Sequence, residues 1–102
     1  MPISFTVTTQ AGTVQYTDGT DTICASAYDW EGARWIRVQL TAISRPGPSF
    51  TFTDYNNRYG HPGRTCRTDL QRAYEDTQYR AVIDAYWGES GTTTRKTVYF
   101  YS

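Results

Sequence analysis

Residues 77–102 read TQYRAVIDAYWGESGTTTRKTVYFYS, and this stretch decides the fold. In its first arm Ala81, Ile83 and Ala85 fall at every second position. A period of two is the side-chain repeat of a half-buried strand, whereas a helix needs a period between three and four. The second arm, TTTRKTVYFYS, is built from Thr and aromatic residues, types that suit a pleated surface. Gly88-Glu89-Ser90-Gly91 between them is turn chemistry, so the spacing predicts a β-hairpin with a short loop.

The same alternation runs upstream. ISFTVTT puts Ile3, Phe5 and Val7 on one face and Ser4, Thr6 and Thr8 on the other. After a turn at Ala11-Gly12, TVQYT directs Val14 and Tyr16 inward. TDGTD supplies the next turn, with Gly19 as the residue suited to positive φ and Asp18 and Asp21 as local acceptors. TICASAYDW forms a third strand, and EGA (residues 31–33) reads as a tight hairpin connection into RWIRVQLTAIS. There Ile36, Val38 and Leu40 oppose Trp35, Arg37 and Gln39. RPGP breaks the pattern, since proline cannot donate to a sheet ladder, and SFTFTD resumes it. The expectation is seven antiparallel strands in one all-β sandwich domain spanning residues 1–102.

Composition agrees. The chain has 102 residues, of which 17 are Thr and nine are Tyr, while Leu occurs only at positions 40 and 70, a choice that disfavours a helix bundle. Ten basic residues balance ten acidic ones, without the basic excess on which nucleic-acid binding depends. No apolar run is long enough to span a bilayer as a helix, so membrane insertion is not expected.

Cys24 and Cys66 stand far apart, outside any CxxC spacing, and one histidine cannot complete a metal site with them. A disulfide formed in an oxidising compartment is the favoured reading, two buried free thiols the other. With the disulfide comes export: a secreted protein whose signal peptide has been removed. No metal and no cofactor are expected.

The gap from Tyr55 to Asp76 is long for a loop and calls for pinning or local structure. Cys66 can anchor it. Thr68-Asp69-Leu70-Gln71 has the capping-box spacing, which predicts a short helical turn from Asp69 to Tyr74, with Gln71 reaching back to Thr68.

Thr77-Gln78-Tyr79, followed by the alternating Ala81, Ile83 and Ala85, resembles the entry to the sixth strand of immunoglobulin-like and fibronectin type III domains. The resemblance covers the last third of the chain. It implies an immunoglobulin-like sandwich in which the Tyr79 hydroxyl bonds back across a corner, and it carries no function. Cys66 precedes that strand, which departs from the antibody-type bridge. The Thr-, Tyr- and Arg-rich composition is also similar to that of small secreted actinobacterial proteins.

Candidate chemistry is sparse. His61, in YGHPG, has Asp54 and several hydroxyls nearby in sequence but no second histidine and no nucleophile elbow, so no catalytic residue is expected. Asp18 and Asp21 lack the further oxygen ligands of a calcium loop and read as a turn. Glu75, Asp76 and Asp84 are expected to face water or pair with arginine rather than form an acid/base couple.

The aromatic residues are more informative. Tyr28, Trp30 and Trp35 surround the EGA turn, and Tyr86 and Trp87 occupy the mouth of the last hairpin. Such rings cap the ends of a core, stack on sugars or anchor a protein interface. Arg64 and Arg67, beside Cys66, could also present a scissile bond to a trypsin-like protease. The candidate binding residues are thus Tyr28, Trp30, Trp35, Tyr59, His61, Arg64, Arg67 and Trp87. The expected function is a non-catalytic secreted adaptor or subunit that recognises another protein. A carbohydrate-binding module and a serine-protease inhibitor are the alternatives. The Ser- and Thr-faced first strand could also add to a partner's sheet edge.

Overall fold

A computed structural model describes residues 4–28, 32–56, 63–74, 76–88 and 90–102. The strands are β1 (Phe5–Thr8), β2 (Gly12–Thr17), β3 (Thr22–Ala27), β4 (Ala33–Ala42), β5 (Phe50–Tyr55), β6 (Thr65–Arg67), β7 (Gln78–Trp87) and β8 (Thr92–Tyr101). They form two antiparallel four-stranded sheets, ordered β1-β2-β3-β6 and β5-β4-β7-β8. The all-β reading holds, but the described strands number eight, not seven. The additional one is β6, three residues long and paired with β3 through Ile23↔Arg67, Cys24↔Cys66 and Ala25↔Thr65.

One hydrophobic cluster lies between the sheets and draws on both. Val14 and Tyr16, Ile23 and Ala25, Ile36, Val38 and Leu40, and Tyr79, Ala81, Ile83 and Ala85 are all buried in it. These are the inward positions of a period-two pattern, so the alternation in the sequence is the burial pattern of the fold. At one end Phe5, Tyr16 and Tyr79 surround Phe100, with ring centroids 5.0, 4.8 and 5.8 Å from it. Tilted and offset pairs at that range add attraction beyond area burial.

The last hairpin is as expected. β7 and β8 pair from Gln78↔Tyr101 to Trp87↔Thr92, and Gly91 turns the chain at φ 65°, a conformation that a Cβ would disfavour. The expected hairpin at EGA is not formed. β3 belongs to the first sheet and β4 to the second, so this connection crosses between sheets. The true partner of β4 on that side is β5, in register from Trp35↔Tyr55 to Leu40↔Phe50, and RPGP lies in their connection.

Local details also shift. The TDGTD turn is a 3-10 turn (Asp18–Thr20), but positive φ falls on Asp21, at 48°, rather than on Gly19. Asp21 accepts from the Tyr16 hydroxyl at 2.7 Å, which holds this conformation. The helical turn in the long connection is a 3-10 turn over Asp69–Arg72, anchored by buried Leu70. Its capping box is not made. Thr68 forms no side-chain cap, and the Gln71 amide instead donates to the Thr20 carbonyl at 2.9 Å.

Candidate functional site

The outer face of the second sheet brings aromatic and charged side chains together in two rows. Tyr55 of β5, Trp35 of β4 and Tyr86 of β7 are opposed in register, three rings abreast on adjacent strands. Adjacent strands lie about 4.8 Å apart, so the three side chains leave the sheet side by side. Trp35 and Tyr86 lie near-parallel, their centroids 5.6 Å apart and their planes at 16°. The Arg37 guanidinium sits over the Trp35 ring at 5.3 Å. Tyr55 remains 48% exposed at the edge of the row.

The next row inward along the sheet is ionic. Arg37 of β4, Asp84 of β7 and Arg95 of β8 are opposed in register. Arg95 donates from Nε to Asp84 Oδ1 at 2.7 Å and from Nη2 to Oδ2 at 3.2 Å, and Arg37 donates from Nη2 to Oδ2 at 2.9 Å. Asp84 points outward as expected, yet its side chain is only 5% exposed, covered by arginines that are 45% and 66% exposed. Hydrogen bonds from Arg95, then from Arg37, hold the Asp84 carboxyl below the usual carboxylate range against the opposing cost of burial, and Asp84 in turn raises Arg95.

Of this row, Trp35 is an expected binding residue, Tyr86 is expected only as an aromatic at the hairpin mouth, and Tyr55 carries no signal in the sequence. Tyr55 and Tyr86 belong to strands distant in sequence, and only strand register brings them beside Trp35. Trp87 and Tyr28 pack against the core as partly buried residues. Trp87 lies so close over Gly32 that any side chain there would overlap its ring. Trp30, Tyr59, His61 and Glu75 lie outside the described residues.

The long connection is pinned as expected. Cys24 and Cys66 are joined by a disulfide. It ties neighbouring strands of one sheet, with Cys24 buried and Cys66 exposed. It does not cross between sheets. One tie that does cross is Asp54, the carboxylate nearest His61 among those the sequence offers it as an orienting partner. Asp54 faces the core on β5 and accepts from the Ala27 amide and the Thr65 hydroxyl, both at 2.7 Å. It thereby links the second sheet to β3 and β6 and is committed to structure.

Arg67 donates in fork geometry to Asp69 at 2.8 and 3.0 Å and lies over the Phe50 ring at 5.0 Å. Those Arg67 bonds, with a further pair from Arg72, hold the Asp69 carboxyl below its usual range. Arg64 donates to Gln15 Oε1 at 3.1 Å on the surface of the first sheet. A depression lined by Thr68, Asp69, Gln71 and Arg72 lies beside the second 3-10 turn.

The Tyr79 hydroxyl donates to the Pro48 carbonyl at 2.8 Å, in the β4–β5 connection. Burial pushes the Tyr79 phenol up from its ordinary value. Among the described residues no helix is long and apolar enough to cross a membrane. No protein-family model matches the chain, and no curated protein is similar to it at a significant level.

Proposed function

We propose that the chain is a secreted, non-catalytic recognition module with an immunoglobulin-like fold, and that it binds another protein through the outer face of its second sheet. With β1 set aside, β2-β3-β6 and β5-β4-β7-β8 follow the strand order that immunoglobulin-like sandwiches use, which supports the finer fold reading. The disulfide is in keeping with an oxidising compartment.

The observation that carries the proposal is the row Tyr55–Trp35–Tyr86 set against Arg37 and Arg95 on an open sheet face. Tyr, Trp and Arg are the residues that dominate binding energy at protein interfaces, and Lys and Glu are depleted there. The outward positions of the four strands carry neither Lys nor Glu. Carbohydrate recognition asks for a ring face left open to a sugar. Trp35 is instead engaged by the Tyr86 ring and by Arg37, which favours a protein partner.

The test is differential capture from the native culture fluid. Wild type and a Trp35→Ala/Tyr86→Ala double variant of matched melting temperature serve as baits. A protein retained by wild type and lost by the variant supports the proposal. Equal retention by both, or ring-dependent binding to a glycan array instead, contradicts it.

A further inference from the structure

We propose that Arg37 and Arg95 form a receptor for a carboxylate side chain of the partner, so that the recognised protein segment carries an Asp or Glu beside an aromatic or aliphatic residue. This rests on the reading of the face as a protein-recognition surface and names the chemistry of what it takes.

A guanidinium has five N–H donors, and Asp84 occupies one from Arg37 and two from Arg95. Both arginine side chains keep a large exposed fraction on the outer side of the buried carboxylate. One carboxylate cannot neutralise two guanidiniums. Across the outward positions of the sheet, Arg37, Arg80 and Arg95 face a single acid, Asp84. The face is thus positive on a chain whose formal net charge is zero. Charge complementarity calls for an anion here.

The geometry narrows the anion. Asp84 fixes both guanidiniums from below, and the Trp35 ring supports Arg37, so little side-chain freedom is lost on binding. A planar fork matches a carboxylate with two parallel bonds. The Tyr55–Trp35–Tyr86 row lies immediately beside the pair, so a residue neighbouring the incoming acid meets aromatic surface. A sulfated polysaccharide would need a longer track of cations without an acid among them, and Asp84 stands in the middle of this one.

Panning the oxidised full chain against a displayed library of random linear peptides tests the inference. The expected winners share an Asp or Glu within one or two positions of an aromatic or aliphatic residue. Their affinity should fall about tenfold or more in Arg95→Gln and Arg37→Gln proteins, the loss that one charged hydrogen bond represents. Added salt should weaken it too. The same loss should follow when the peptide's own acid is changed to its amide and read on wild-type protein, which needs no variant to fold. Winners without an acid that still lose binding with Trp35→Ala overturn the carboxylate receptor while the recognition face stands. Winners indifferent to Trp35, Arg37 and Arg95 overturn both. Enrichment of no peptide, or binding of a heparin oligosaccharide in their place, also overturns the proposal.

Discussion

Asp84 is the residue on which the outer face turns. Its carboxyl is nearly buried, and the Arg95 and Arg37 bonds hold its pKa below that of an unfolded aspartate. A depressed folded pKa stabilises the native state fully above the unfolded value, and that contribution is lost as pH falls through the folded one. Wild type should therefore lose melting temperature on acidification below the ordinary aspartate range. Asp84→Asn should start lower by about 2 kcal/mol at neutral pH and show a shallower acid limb in thermal melts. Asp54 makes a comparable case inside the core. Asp54→Ala leaves the Ala27 amide and Thr65 hydroxyl without their acceptor and should cost about 3 kcal/mol in chemical denaturation. The sequence disclosed that Asp84 faces outward, because alternation fixes the side of a strand. It did not disclose the arginines above it, since register across β4, β7 and β8 joins residues up to 58 positions apart and leaves no local mark.

Among the elements, β6 shows most plainly what alternation can and cannot reveal. A three-residue strand carries no periodic signal, and Thr65-Cys66-Arg67 holds no apolar aliphatic residue. What makes it a strand is its tether: the disulfide to β3, the Thr65–Asp54 bond and the Arg67–Asp69 pair. The sequence spacing of 42 between the cysteines implies about 4 kcal/mol of stabilisation in the chain-entropy model. Reduction, or a Cys24→Ser/Cys66→Ser double change, should lower stability by up to that amount. Hydrogen exchange should then rise first in residues 65–67. The EGA connection is ambiguous in sequence for a related reason. Its glycine is good turn chemistry, but a turn residue does not say whether the chain stays in its sheet or crosses to the other one. The last hairpin was legible because turn chemistry, alternation and sequence-adjacent pairing all agree there. β8 carries a further device at its edge. Lys96 sits at an inward position yet remains exposed, and its ammonium donates to the Thr8 carbonyl of β1 at 2.7 Å. An inward-pointing charge discourages pairing of an open edge with another chain. Lys96→Val should increase self-association measured by sedimentation.

For the whole molecule, the two outer faces divide the work. The first sheet turns outward mainly Ser, Thr and Gln, together with the disulfide. The second gathers the rings and arginines on which the proposed recognition rests. Side-chain oxidation by hydroxyl radicals reads the proposed division most directly, because Tyr and Trp are both reporters and proposed contacts. With the partner recovered by wild-type bait, Tyr55, Trp35 and Tyr86 should become protected. Tyr74, exposed beside the second 3-10 turn, should keep its reactivity and serves as an internal control. Protection at Tyr74 or along β1, with Tyr55 and Tyr86 unchanged, would contradict the assignment of the recognition face.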